Sequence, residues 1–449
     1  MIITNGTIVT WEKPNKILEG HTIVIKSDKI VEIDQTEKVL KKYPNEERID
    51  AHGQYIMPGN ICAHTHFYGA YSRGLAIPGT APANFAEILN KLWWPLDKSL
   101  SADAVKFSAL VCIIDAIKHG TTTLFDHHAS QGNIEGSLME IYKAVEISGI
   151  RASLCYEVTD RDGSEKAKLG INENSNFIKF INKENPLDGR ISACFGLHAS
   201  LTLSENTLEE CRKVAPEDVG FHIHVAEDSI DEYDSLEKSG QRVVDRLNKH
   251  KMLGPKTIAV HAVHIDSKEI EILAENNTWV THQPRSNMNN AVGIANVESM
   301  LRSGVRVGLG NDGFSNDMWQ EWKTAYLVHK LWNRDPRRMN GIDIIEMAIY
   351  NNSLLASEQF NVGKIGKLVE GAQADIILVD YKPFTPLSAG NLPWHILFGF
   401  NPSMVTTTIV AGKPLMINNK LTTLDEDEIY SKALELSSPV WINYQAQHK

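Results

Sequence analysis

Three short stretches carry side chains that could do chemistry together. In His64-Thr65-His66 the strand period of two sends both imidazoles off one face, so they can converge on a single cation. In HVAE (224–227), His224 can supply a third nitrogen while Glu227, just beyond, can lean over the metal as a proton carrier without binding it. In GLGNDG (308–313), Asp312 adds one carboxylate between glycines that permit close backbone approach. His64, His66, His224 and Asp312 form a nitrogen-rich set suited to one divalent metal, zinc first and iron second, with room left for water. His261, closing AVH, would hydrogen-bond that water or the substrate. His222, one alternation before His224, reads as a packed core histidine.

These residues need a scaffold that gathers distant strand ends. Eight apolar, β-branched runs alternate with helical stretches: IMPGNICAHTH, TTTLFDHH, RASLCYEV, ISACFGLH, GFHIHVAE, TIAVHAVH, TWVTHQ and VRVGLGND. Nearly all end in a polar residue: His66, Asp126, Glu157, His198, His224, His261, His282 and Asp312. The predicted fold class is α/β, a (β/α)8 TIM barrel, in which those ends share one rim. From His64 to Asp312 the chain covers roughly the ~250 residues such a barrel needs. Between the first two strands, Ser101 as N-cap, apolar Phe107, Leu110, Ile114 and Ile117, and Gly120 as stop predict a helix over 101–119.

Short β-rich pieces at both chain ends predict a small flanking β-sandwich, completed by 1–55 plus 365–420. The barrel is expected over 56–364, and a C-terminal helical tail over 421–449. Among rim residues, Tyr68 and Trp93 could wall a planar ring and Arg161 could meet an exocyclic oxygen or carboxylate. Phe67, Tyr71, Arg73, Trp94, His127, His128 and Arg285 are further pocket candidates.

With 45 basic against 56 acidic side chains in 449 residues, the net charge of −11 gives no footprint for nucleic acid or an anionic membrane. The N-terminal residues lack a secretory pattern, and no apolar run reaches membrane-spanning length, so the expectation is a cytoplasmic protein. Five scattered cysteines without a CxxC pair predict reduced thiols.

As a set, PG-x4-HTH (58–66), HVAE, AVHAVH (259–264), HQPRSN (282–287) and GLGNDG resemble the amidohydrolase superfamily, in its cytosine deaminase and chlorohydrolase branch. FDHHAS (125–130), YEVTDRDG (156–163) and GLHASLTLS (196–204) look closer still to an aminohydrolase group associated with selenium metabolism. The resemblance implies one metal on His64, His66, His224 and Asp312, proton shuttling by Glu227, and metal-water or substrate contact by His261. It also implies substrate contact by His198 and a homodimer. The function expected is hydrolytic deamination of an aminated heterocycle, a purine or pyrimidine derivative. The alternatives are chlorohydrolase-type hydrolysis of a substituted ring and a non-catalytic accessory role in selenoenzyme maturation. Cys62-Ala63 and Ser200-Leu201 depart from the usual residues of relatives, so the family's substrate does not carry over.

Overall fold

The computed structural model describes residues 1–448. Its centre is a run of parallel strands: Asn60–Thr65, Thr121–His128, Arg151–Tyr156, Ile191–Ala193 with Phe195–Ala199, Phe221–Val225, Ile258–His261, Trp279–His282 and Arg306–Leu309. The first three pair in sequence and end on Ile191–Ala193; a second sheet runs from Phe195–Ala199 to Arg306–Leu309. Nearly every residue of these strands is buried, as parallel sheets covered by helices require. All eight expected strands are present, the fourth broken at Cys194.

The two sheets meet at both seams. At one, Val158 bridges Leu197 in parallel, and the His198 N–H donates to the Val158 carbonyl at 2.9 Å. At the other, the Asn311 and Asp312 N–H groups donate to the His64 carbonyl at 2.9 and 3.1 Å. Gly310 makes the second seam possible, because a Cβ there would lie 2.7 Å from the backbone of His64. The expected interstrand helix forms over Ala102–Lys118, with the Ser101 hydroxyl accepting from the Ala104 N–H at 3.2 Å.

Both chain ends contribute to two further sheets. One has seven strands, in the order Lys420–Leu421, Lys413–Ile417, Val405–Val410, Ile376–Val379, Tyr55–Pro58, Thr7–Val9, Ile17–Leu18. The other has four: Lys29–Gln35, His21–Lys26, Ile2–Thr4 and Arg48–Asp50. Ile3, Ile23 and Ile25 from the smaller sheet share a core with Ile8, Ile56, Ile376 and Ile409 from the larger. Residues 56–58, assigned to the barrel on sequence, pair antiparallel with residues 376–378 in this seven-stranded sheet, Pro58 opposite Ile376 and Ile56 opposite Leu378. The apolar run continues through Pro58 and Gly59 without a change of composition, which hid the switch. A Cβ on Gly59 would lie 2.1 Å from the Thr122 side chain, so only glycine lets the chain cross here.

Buried Arg151, at the start of the third central strand, ties the two regions together through Asp375 (3.0 Å) and Gln373 (2.9 Å). The helix Glu426–Ala446 lies against the central region: the Trp441 indole donates to the Tyr71 carbonyl at 2.9 Å and the Tyr444 hydroxyl to the Lys91 carbonyl at 2.5 Å. No helix among the described residues is long and apolar enough to cross a membrane.

Candidate functional site

The strand ends bring His64, His66, His224 and Asp312 together. The His66 Nδ1–H donates to the His127 carbonyl at 2.6 Å and the His224 Nδ1–H to the His198 carbonyl at 2.8 Å. The His64 Nδ1–H is directed at His222 Nε2, 2.9 Å away. Each neutral ring then keeps its lone pair at Nε2, and these lone pairs face one another around Asp312 Oδ1. That oxygen lies 2.8 Å from His64 Nε2 and 3.0 Å from His66 Nε2, while the Nε2 atoms of His66 and His224 are 3.2 Å apart. Four converging acceptors repel unless a positive charge sits among them, so the donor set fits one divalent cation of zinc or ferrous character.

The electrostatics agree with that reading for His64 and His224, whereas His66 must lose a proton to join the set. Burial drives the His64 imidazole down to about 3 and the His224 imidazole well below its usual value, keeping both neutral. Burial also opposes a proton on His66, but hydrogen bonding and charge from Asp312, then the charge of Glu157, push it up to about 9. Burial alone would raise Asp312; His261, His64 and His66 hold its carboxyl well below the usual range. His222, expected as core packing, is buried but also holds the outer nitrogen of His64, which fixes that ring's orientation.

Glu227 sits beside this centre, its Oε2 3.3 Å from His261 Nε2 and its Oε1 accepting from Asn290 at 3.1 Å. Burial, reinforced by the charge of Asp312, raises its carboxyl well above the usual range. Asn287 donates to His261 Nδ1 at 2.9 Å, so the neutral ring carries its proton on Nε2, directed toward Glu227 and Asp312 Oδ2 (3.8 Å). Burial brings His261 down to about 4 and keeps it neutral near pH 7. Ser286 donates to Asp312 Oδ2 at 2.5 Å. Ser286, Asn287 and Asn290 escaped the sequence reading, although the quoted HQPRSN motif contains the first two. Ala226, His261, Ala262 and Asp312 all have left-handed backbone, with φ of 46, 71, 51 and 56°. Non-glycine residues pay about 1–3 kcal/mol each for that conformation, and such strain gathers at functional sites.

A cavity of about 360 Å³ opens over the centre, lined by His66, His224, Glu227 and Asp312 below and by Tyr68, Leu89, Trp93 and Trp94 on one wall. His198 lines it too, with Nδ1 bonded to Thr202 at 2.7 Å. Tyr68 packs edge-on to Trp93, ring centroids 6.2 Å apart. The loop bearing Tyr68 is anchored by the Phe67 N–H, which donates to Asp126 at 2.7 Å. Arg161 stands behind the wall: buried, it pairs with Asp97 and lies over Trp94, 5.3 Å from the ring centroid. Asp97 is the member of that pair that reaches the cavity, and sequence reasoning did not single it out. Arg73 lines the cavity mouth, whereas Arg285 is engaged by Glu321 and Ser315. His128 donates to Ser130 at 2.9 Å. Glu157 lies on the wall among His66, His127 and His198; burial would raise its carboxyl, but the charges of these imidazoles, His127 foremost, hold it well below the usual range.

The sequence model of the amidohydrolase family matches residues 55–415. A 5'-deoxyadenosine deaminase of Methanobrevibacter smithii is 37% identical over 92% of each chain. A 5-methylthioadenosine/S-adenosylhomocysteine deaminase of Thermococcus sibiricus is 34% identical over 90% of this chain and 93% of its own. In structure, an adenosine deaminase from Xanthomonas campestris with bound zinc superposes with a TM-score of 0.84 at 22% identity, covering 98% of both chains. The motifs, the strand-end geometry and the family match over most of the chain agree, and the chain belongs to the amidohydrolase family.

Proposed function

We propose that this protein is a zinc-dependent deaminase that hydrolyses the exocyclic amino group of an aminated purine derivative, water in and ammonia out. The observation that carries it is the placement of Glu227 and His261 Nε2 over the converging lone pairs of His64, His66, His224 and the Asp312 carboxylate. Deaminase relatives at 37% and 34% identity and a zinc-bearing structural neighbour support the leaving group and the metal. His64, His66, His224 and Asp312 would hold the cation, which when bound makes water acidic enough to act as a nucleophile near neutral pH.

The chain's own groups handle the protons. Glu227, kept protonated by burial, can give its proton to the ring nitrogen beside the amino-bearing carbon. As carboxylate it then takes one from the adding water and passes it to the departing nitrogen. His261 stays neutral and offers Nε2–H to the incoming oxygen, with Asn287 fixing the tautomer. Tyr68, Trp93 and His198 would sandwich and edge-bind the ring, while Arg161 would act through Asp97 and Trp94.

The same reading takes the eight central strands as one closed barrel within the expected 56–364, less the 56–58 that pair elsewhere, and the end-derived sheets as a β-sandwich of 1–55 plus 365–420 extended by 56–58 and Leu421. Of the tail expected over 421–449 the helix Glu426–Ala446 is seen, and residue 449 lies outside the described residues. The paired seams at Val158–Leu197 and His64–Asn311 support closure, with Tyr55–Pro58 as the strand that passes between the units. The resemblance to selenium-associated aminohydrolases, the group typified by SsnA, finds no support among these relatives, which are named as deaminases. A cytoplasmic homodimer completes the proposal. The test is an ammonia-release screen of the zinc-loaded protein over adenine, guanine, cytosine, their oxidised forms and aminated nucleosides, with chloride release from chlorotriazines alongside. Ammonia from a purine-type amine is expected; chloride without ammonia, or neither, overturns the reading.

A further inference from the structure

The cavity wall holds one carboxylate, steadied by the charge of neighbouring imidazoles, with an oxygen that no well-formed hydrogen bond among the described residues reaches. Asp312 belongs to the metal centre and Glu227 to proton transfer. Asp231 accepts from the backbone N–H groups of Ala226 and Leu201 at 2.9 and 2.7 Å, Asp228 caps a helix by accepting from Ile230 at 3.0 Å, and Asp97 pairs with Arg161. Glu157 is different. It is 3% exposed, lies on the cavity wall, and its Oε1 is buried without a hydrogen-bond partner. The nearest polar atoms are His127 Nδ1 at 3.3 Å, His66 Nδ1 at 3.4 Å and His198 Nε2 at 3.8 Å, none of them aligned as a donor. His66 has already committed its Nδ1–H to the His127 carbonyl, and His127 its Nε2–H to the His222 carbonyl.

The imidazoles offset part of its charge, but a buried carboxylate oxygen without a well-formed hydrogen bond is costly, and that cost is recovered when a ligand supplies a donor. We infer that Glu157 is a specificity-determining residue that accepts a hydrogen bond from an N–H or O–H of the substrate. It therefore selects molecules that present a donor beside the reacting ring and rejects those that present an acceptor there. The inference rests on the deaminase reading for the class of molecule to try. Two sources could supply the donor in an adenine-type substrate: a ring N–H of the free base or a hydroxyl of an attached sugar.

The experiment measures calorimetric binding and ammonia release for zinc-loaded wild type, Glu157→Gln and Glu157→Leu. Two probe pairs separate the sources: adenine against 9-methyladenine removes a ring donor, and adenosine against 2′,3′-dideoxyadenosine removes sugar donors. In wild type one pair is expected to differ about 10–100-fold in affinity, the span of a hydrogen bond to a charged group. In Glu157→Leu that difference should shrink to below about threefold with zinc content unchanged; Glu157→Gln, whose amide oxygen still accepts, should fall between. If Glu157→Leu folds poorly, the intermediate behaviour of Glu157→Gln carries the test. Undiminished discrimination in the folded variants, or equal binding within both pairs by wild type, overturns the inference. Probes that bind in the expected pattern without ammonia release defeat the deaminase reading alone; ammonia release that ignores Glu157 defeats this inference alone.

Discussion

At the floor of the cavity His64, His66 and His224 project from strands or strand ends, and each ring is pinned by a second bond, to a carbonyl or to His222. At the wall, Tyr68, Trp93 and Trp94 sit on short helical turns between 67 and 98, held by packing and by groups that arrive from behind, Arg161 and the C-terminal helix. The floor is overdetermined by hydrogen bonds and carries backbone strain; the wall is a set of adjustable surfaces. Damage to the floor should therefore appear in the chemical step, and damage to the wall in binding or stability.

Glu227→Gln tests the floor most severely. The amide keeps the shape and the bond from Asn290 yet can neither give nor take the proton, so kcat should fall by about 10²–10⁴ while KM and zinc content stay near wild type. Metal analysis and steady-state ammonia release check it. A fall in KM-type binding alone would place Glu227 with the wall.

Arg161→Ala is the matching blow to the wall. It strips the partner from buried Asp97, which sits 2% exposed, and removes the cation over Trp94. Breaking a buried ion pair from one side costs about 3–5 kcal/mol, so denaturant titration should show a lower midpoint. Double replacement of Arg161 and Asp97 by apolar residues should recover much of the loss. If Arg161→Ala left stability untouched and abolished substrate binding instead, the arginine would be a direct substrate contact.

Metal affinity offers a third contrast, because the candidate ligands stand on the floor and none stands on the wall. To serve as a ligand His66 must shed a proton whose pKa without the cation is pushed up to about 9. Binding near neutrality therefore releases it, and zinc affinity should rise about tenfold per pH unit from about pH 6 toward about pH 9, then level above that as His66 becomes neutral on its own. Chelator competition across that range, with proton release read by calorimetry in two buffers, measures the slope. A flat profile would mean that Asp312 does not hold a proton on His66.

The floor was the more legible of the two regions in the sequence, and the reason is geometric. Alternation on a strand fixes which way His64, His66 and His224 point, and parallel strands place their ends on one rim, so spacing alone brought the candidate ligands together. Partners on short elements left no such trace. Ser286 and Asn287 lie on the six-residue helix Pro284–Asn289 and Asn290 is its C-cap, a piece too short to display a period, and their bonds depend on how that helix packs after Trp279–His282. Asp97 and Arg161 are 64 positions apart and meet only where the short helix Trp94–Lys98 packs against the turn that bears Arg161. The flanking sheets were legible as strands, whereas the change of sheet at Gly59 was hidden inside one apolar run.

The smallest effect concerns the support behind the wall. In the stretch Leu89–Trp93 the helix widens into a π-turn, which loosens its internal ladder, and the Tyr444 hydroxyl donates to the Lys91 carbonyl within it. Trp93 and Leu89 on the same turn face the cavity, so this bond from the far end of the chain sets where the aromatic wall stands. Tyr444→Phe keeps the buried ring and deletes only that donor, a change of about 1 kcal/mol. KM should rise about fivefold with kcat nearly constant, since no floor residue moves. An equal fall in kcat would show that the wall and the floor are mechanically one, because displacement of Trp93 would then have reached the proposed metal ligands through Tyr68 and His66, whose rings lie 5.4 Å apart.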